Sequence, residues 1–209
     1  MRVKKISEET IKETARILQD GGMVCFPTDT IYGLLALASR RDVIERLYSI
    51  RRPSGRPFLL LIPDAVWVLK LDLLANPRYL HLVNLFNATF IFYKKNSIPL
   101  YLTRGKKSLA LRLPPMGSHV FKLLQILQEP VVAPSANQEG QKPATDIKEA
   151  IDYFGDKVDL YVDGGKREGK PSTIVRVLYP KGLRLVREGS IEFRKILEAY
   201  RNIEPTFSS

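Results

Sequence analysis

Cysteine and histidine are scarce in this 209-residue chain, which has one Cys (Cys25) and two His (His81 and His119). A lone thiol excludes an intrachain disulfide and fits a reducing compartment. Cys25 sits in the apolar run Met23 to Phe26, so it reads as core rather than nucleophile. So few Cys and His argue against a zinc site, and neither His lies beside a nucleophile motif of the kind a Ser-His-Asp triad needs. No metal site is expected. Long apolar runs are missing too: the two greasiest stretches are cut by Asp29 and Asp64. The N-terminus, Met-Arg-Val-Lys-Lys-Ile-Ser-Glu-Glu, has no apolar signal core, which points to a cytoplasmic protein. There is no internal repeat and no long linker. The apolar share of 44% and charged share of 26% are ordinary for a globular chain and exclude a disordered or collagen-like one.

Positive charge is what the chain has in excess. Lys and Arg number 33 against 22 Asp and Glu, a net charge of +11. Such an imbalance asks for an anionic partner, either nucleic acid or a phosphate-rich small molecule.

Helix and strand signals alternate along the whole length. Ser7 before Glu8-Glu9 starts a helix that Gly21-Gly22 ends, and Met23 to Phe26 is a strand. Residues 27–33, Pro-Thr-Asp-Thr-Ile-Tyr-Gly, form a polar break. Asp42 caps a helix that stops at the basic turn 51–57, and Phe58 to Ile62 reads as a buried strand. Asn76-Pro77 opens a helix. Strands follow at Thr89–Tyr93 and Ser108–Leu113, then a helix capped by Ser118 and a short strand Val131–Ala133. Asp146 caps a helix closed by Gly155. Strands Val158–Val162, Thr173–Leu178 and Leu183–Val186 precede a last helix capped by Ser190. The pattern predicts one α/β (α+β) domain over 1–201, with a frayed tail at 202–209 and a mixed parallel and antiparallel sheet. In such open sheets ligands gather where strands end.

Gly164-Gly165-Lys166-Arg167-Glu168-Gly169-Lys170 mimics a phosphate-cradling loop, but Pro171 stands where a Ser or Thr must hold magnesium. A strand, not a helix, follows. No Gly-x-Gly-x-x-Gly is present, and the aromatics are not interleaved with Lys or Arg as in a single-strand stacking platform. Four segments remain that core packing does not use. They are 27–33, the Arg51, Arg52 and Arg56 turn, Ser108 with Arg112, and Ser135-Ala136-Asn137 with Ser172-Thr173 and Arg187. Each alone reads as a turn or a solvated charge run. Together they give hydroxyls and guanidiniums without a general base, a set suited to carboxylate and phosphate oxygens.

In their order and spacing these segments resemble the YrdC/TsaC family of threonylcarbamoyl-AMP synthases, in its single-domain form. The likeness rests on Phe26-Pro-Thr-Asp-Thr-Ile-Tyr-Gly33, Leu47-Tyr48-x-Ile50, Ser108-Leu-Ala-Leu-Arg-Leu-Pro114 and Ala133-Pro-Ser-Ala-Asn137. It continues through Val158-Asp-Leu-x-Val-Asp-Gly-Gly165, Pro171-Ser-Thr-Ile-Val175 and Val186-Arg-Glu-Gly189. The resemblance implies a twisted mixed sheet around a positively charged concave cavity. It implies synthesis of threonylcarbamoyl-AMP and pyrophosphate from L-threonine, bicarbonate or CO2, and ATP carrying Mg2+. The product serves t6A modification of tRNA through downstream threonylcarbamoyl transfer proteins. By the same resemblance Thr30, Tyr32, Arg112 and Ser172 hold threonine. Arg52, Arg56, Ser108, Ser135, Asn137 and Arg187 hold the nucleotide, and Arg51, Arg52, Ser135 and Asn137 serve catalysis.

The sequence also departs from the family pattern. Ile50 stands where the Lys of Lys-x-Arg belongs, unless Arg51 takes that role. Leu61 replaces a His, and residues 85–89 keep only Thr89 of Pro-Gly-Pro-x-Thr. A second reading follows from these changes: an RNA-binding protein for tRNA or double-stranded RNA with altered or lost synthase chemistry.

Overall fold

A computed structural model describes residues 2–51, 54–95 and 98–203. In chain order the elements are β1 (Val3–Lys5), α1 (Glu8–Gln19), β2 (Val24–Pro27), β3 (Tyr32–Leu37), α2 (Arg41–Arg51), β4 (Leu60–Leu61) and α3 (Trp67–Lys70). Next come α4 (Pro77–Leu85), β5 (Thr89–Tyr93), α5 (Leu100–Thr103), β6 (Ser108–Arg112), α6 (His119–Leu127) and β7 (Val131–Val132). The chain continues with α7 (Ile147–Phe154), β8 (Leu160–Asp163), β9 (Ile174–Val177), β10 (Leu183–Arg187) and α8 (Phe193–Asn202). No helix among the described residues is long and apolar enough to cross a membrane.

The expected caps form at four helices. Ser7, Asn76, Ser118 and Asp146 each accept a backbone N–H from the residue three positions on. Ser190 does not cap the last helix; its own N–H donates to Pro171 O. Glu188 instead accepts from Phe193 N at 2.8 Å. Asp42 lies inside α2 rather than ahead of it, where it suits the helix N-terminus by charge. The polar break shrinks to 28–31, because Pro27 and Tyr32 already pair across β2 and β3. The expected strand at Phe58 to Ile62 keeps only Leu60–Leu61.

Among the described residues ten strands form one mixed sheet in the order β1-β8-β2-β3-β7-β4-β6-β5-β9-β10. Side chains alternate across it, as the pleat requires. Cys25, Leu34, Ala36, Leu60, Phe90, Phe92, Leu109, Leu111, Val175 and Val177 point to one face and join a core with helices α2, α4, α7 and α8. Val24, Phe26, Leu35, Leu37, Leu61, Val131, Leu160 and Val162 point to the other, where α1 and α6 cover them. This second cover stops at β4. Beyond it the same face of β6, β5 and β9 carries Ser108, Ala110, Ile91 and Ile174, all only half-buried, while their strand neighbours are buried. A sheet covered on one side across its inner strands, and on the other for only part of them, leaves a hollow where the second cover ends.

Candidate functional site

The hollow holds a cavity of about 320 Å3. Its floor is the uncovered sheet face: Leu61 of β4, Arg112 and Ala110 of β6, Thr89 and Ile91 of β5, Ile174 of β9 and Arg187 of β10. Its rim comes from Thr28, from residues 30–33 at the entry to β3, and from the loops at 57–59, 133–135 and 171–172. Of the residues expected to hold ligand, Thr30, Tyr32, Arg112, Ser135, Ser172 and Arg187 meet on its wall.

Arg112 is 4% exposed, and burial pulls its guanidinium below the usual arginine range while Asp29 supports the charged form. Nε donates to Asn87 O at 3.1 Å, Nη2 to the Asp29 carboxylate, and Nη1 reaches Thr30 Oγ1 at 3.4 Å. Burial raises the Asp29 carboxyl, against the opposing pull of Arg112 and Arg167. The loop holding these groups closes on itself: Thr28 Oγ1 donates to Ile31 O at 2.6 Å, and Thr28 N donates to the same carbonyl at 3.1 Å.

Arg187 reaches the floor through an irregularity that no residue pattern announces. β10 pairs Leu185 with Val175 and then Arg187 with Ile174, so Val186 is an extra residue. Without this bulge Arg187 would turn to the opposite face. Its Nη2 donates to Ser172 O at 2.9 Å, and burial lowers its pKa. Thr173 ties the neighbouring turn, accepting from Gly189 N at 3.0 Å and Ile191 N at 3.1 Å. A Cβ at Gly189 would run into Pro171 O, so the Arg-Glu-Gly sequence leaves room for the Pro171–Ser172 rim.

Other expected residues lie elsewhere. Arg51 is 4% exposed and donates from Nε to Ser135 O at 2.7 Å, and from Nη2 to Ser135 Oγ and Asn137 Oδ1, both at 3.0 Å. It braces the Ser135–Asn137 turn from within the protein and is not on the cavity wall. Asn137 is buried as well, and its Nδ2 donates to Gln138 O and Gln141 O at 2.8 Å. Tyr32 touches the cavity at the start of β3, but its ring is fully buried on the opposite sheet face with Leu34 and Ala36, and its hydroxyl donates to Gly165 O at 2.7 Å and accepts from Gly164 N at 2.9 Å. Arg56 is exposed and pairs with Glu139 at 3.4 Å. Ser108 shares the floor's face two residue pairs along β6 from Arg112, outside the cavity lining. Arg52 lies outside the described residues. The glycine-rich stretch 164–170 joins β8 to β9 with no helix after it, and packs so closely that a Cβ at Gly169 would sit 2.6 Å from Thr30 O. Among the described residues no group of three or more His, Cys, Asp and Glu could hold a metal ion.

The family model Sua5/YciO/YrdC, described as telomere recombination, matches residues 16–189. The chain belongs to this Sua5/YciO/YrdC family. It is 30% identical over 180 residues to the threonylcarbamoyl-AMP synthase of Pyrococcus abyssi, which covers 82% of this chain and 52% of that protein. The structure of Pyrococcus abyssi Sua5 complexed with L-threonine superposes with a TM-score of 0.81 at 27% identity, covering 95% of this chain and 59% of that one. Escherichia coli YciO superposes with a TM-score of 0.76 at 25% identity, covering 93% of this chain and 97% of that one. The chain therefore spans little more than half of the Pyrococcus protein and nearly all of YciO. The twisted mixed sheet flanked by helices is the fold of these Sua5 and YciO structures.

Proposed function

We propose that this Sua5/YciO/YrdC protein is an L-threonylcarbamoyladenylate synthase, a nucleotidyltransferase acting in t6A modification of tRNA. The observation that carries the reading is the convergence of Thr30, Arg112, Ser135, Ser172 and Arg187 on one cavity, in a chain similar to a threonylcarbamoyl-AMP synthase and to a Sua5 structure complexed with L-threonine. In this reading Arg112 receives the threonine carboxylate, with Thr30 and Ser172 beside it. Arg187 and the Ser135 turn face the phosphates of ATP, whose Mg2+ comes with the substrate.

The chemistry asks for little beyond placement and charge. The amine of threonine bonds to the carbon of CO2 and gives up a proton. A carbamate oxygen then attacks the α-phosphorus, and the bond to the pyrophosphate oxygen breaks. Carbamate and triphosphate are both anions, so fixed guanidiniums offset their repulsion and the charge that gathers on the leaving group. In-line placement supplies much of the remaining acceleration. Purified protein given ATP, L-threonine, bicarbonate and magnesium is expected to release pyrophosphate only when threonine is present. Absence of threonine-dependent pyrophosphate across a range of magnesium would overturn the reading.

One observation favours a second role. The uncovered sheet face continues past the cavity to Tyr93, Arg176 and Arg184, with Lys106 and Lys107 on the adjoining turn. This stretch suits the phosphates of tRNA or another RNA duplex. It predicts binding that weakens steeply with salt; salt-insensitive or absent binding removes it.

A further inference from the structure

The proposed reaction leaves the Asp29 carboxylate without a task. Its Oδ2 pairs with Arg112 Nη2, and the two side chains are 11% and 5% exposed. Its Oδ1 is buried with no hydrogen-bond partner among the described residues. A pair this deeply buried returns little net stability, and a half-satisfied carboxylate costs more still. Stability does not explain its presence beside the cavity.

Charge does. Register places Arg112, Thr89, Ile174 and Arg187 in one row across β6, β5, β9 and β10. Three strand spacings set the ends of that row about 14 Å apart. Both arginines face the cavity, but their surroundings differ. Arg112 has a carboxylate against it. Arg187 donates to the Ser172 carbonyl, and no carboxylate among the described residues pairs with it. Arg167 of the glycine-rich stretch also acts on Asp29 and offsets part of its charge; neither Asp29 nor Arg167 is on the cavity wall, so Asp29 acts on the cavity through Arg112, which is.

We propose that Asp29 is a specificity-determining residue that gives the cavity its polarity: by offsetting Arg112 it admits a zwitterionic amino acid there and turns phosphate away to the Arg187 end. A phosphate oxyanion at Arg112 comes within range of the Asp29 carboxylate behind it, and because that pair is buried the repulsion is stronger than between charges in water. A zwitterion brings one carboxylate for Arg112 and a positive group that Asp29 favours. The discrimination works by penalising the wrong ligand at Arg112 as much as by rewarding the right one. The ligand classes rest on the proposed synthase function; the charge asymmetry does not.

Calorimetric titration of L-threonine, inorganic phosphate and pyrophosphate into wild type and Asp29→Asn tests this. Wild type is expected to take phosphate at one site. Asp29→Asn should take it at two, with the phosphate-to-threonine affinity ratio rising at least tenfold. Asp29→Glu should restore the wild-type ratio, and Asp29→Asn with Arg112→Gln should lose the second phosphate site. Asp29→Ser gives the same test of charge should the Asn variant fold poorly. Unchanged phosphate stoichiometry and ratio in both uncharged variants would overturn the inference, as would equal weakening of both ligands with a lowered melting temperature. Wild type that binds phosphate but no threonine would count against the proposed function alone, and the phosphate stoichiometry would still decide the role of Asp29.

Discussion

Replacing Arg51 by lysine separates two roles that its place in the sequence leaves open, a contact to phosphate or a brace beneath the Ser135–Asn137 turn. The guanidinium donates three hydrogen bonds to that turn, at 2.7, 3.0 and 3.0 Å, from a position 4% exposed. An ammonium keeps the charge but cannot hold the same three acceptors with a planar fork, so at least one bond is lost. A hydrogen bond from a charged donor contributes about 1.5–3 kcal/mol. Bonds that share one donor group do not simply add, so the expected loss is about 2–4 kcal/mol. For a chain of this size each kcal/mol moves the melting midpoint by about 2–4 °C, which gives a drop of about 5–15 °C. Thermal unfolding without ligand reads this directly, and threonine-dependent pyrophosphate release should fall tenfold or more as Ser135 leaves its place. Arg51→Lys with an unchanged midpoint and a selective loss of ATP affinity would refute the brace and make Arg51 a ligand contact.

Arg112→Lys should weaken L-threonine binding by about 10- to 100-fold, because one ammonium replaces a fork held by Asn87 O and Asp29; calorimetry checks it. Tyr32→Phe removes the hydroxyl bonded to Gly164 and Gly165 and should cost about 1–2 kcal/mol, with faster hydrogen exchange at the Gly164 amide. Cys25 is fully buried and burial pushes its thiol pKa up, so a thiol reagent should label it only after unfolding. Burial raises the folded-state pKa of Asp29, so its contribution to stability is greatest below the ordinary carboxylate range and is lost as pH rises through the raised value. Denaturant midpoints of Asp29→Asn against wild type should therefore diverge in the mutant's favour as pH rises through that window.

Much of the molecule is legible in its sequence because local chemistry and tertiary packing agree there. Ser7, Asn76, Ser118 and Asp146 cap their helices, and the alternation of Leu109 and Leu111 against Ala110 and Arg112 marks which face of β6 joins the apolar core. β1 is hidden because Val3–Lys5 is short, exposed and carries two lysines, and only its parallel pairing with β8 makes it a strand. Ser190 misleads because its N–H is engaged by Pro171 O, a contact from a distant loop. In the site, the motif loops announce Thr30, Arg112 and Ser135. They do not announce Asp29, whose buried carboxylate matters only once Arg112 is folded against it. Nor do they say which arginine meets solvent and which is enclosed. Arg51 and Arg56 lie in one basic run, yet one is buried under Ser135 and the other is exposed against Glu139.

The central claim is that one cavity joins threonine, CO2 and ATP into an adenylate. Labelled bicarbonate tests it most directly, with the nucleotide fraction separated after incubation with protein, ATP, magnesium and L-threonine. The expected result is label in an adenylate species that forms only when ATP and threonine are both present and falls sharply in Arg112→Lys. Label that never enters the nucleotide fraction, in protein that binds both ATP and threonine, would contradict it.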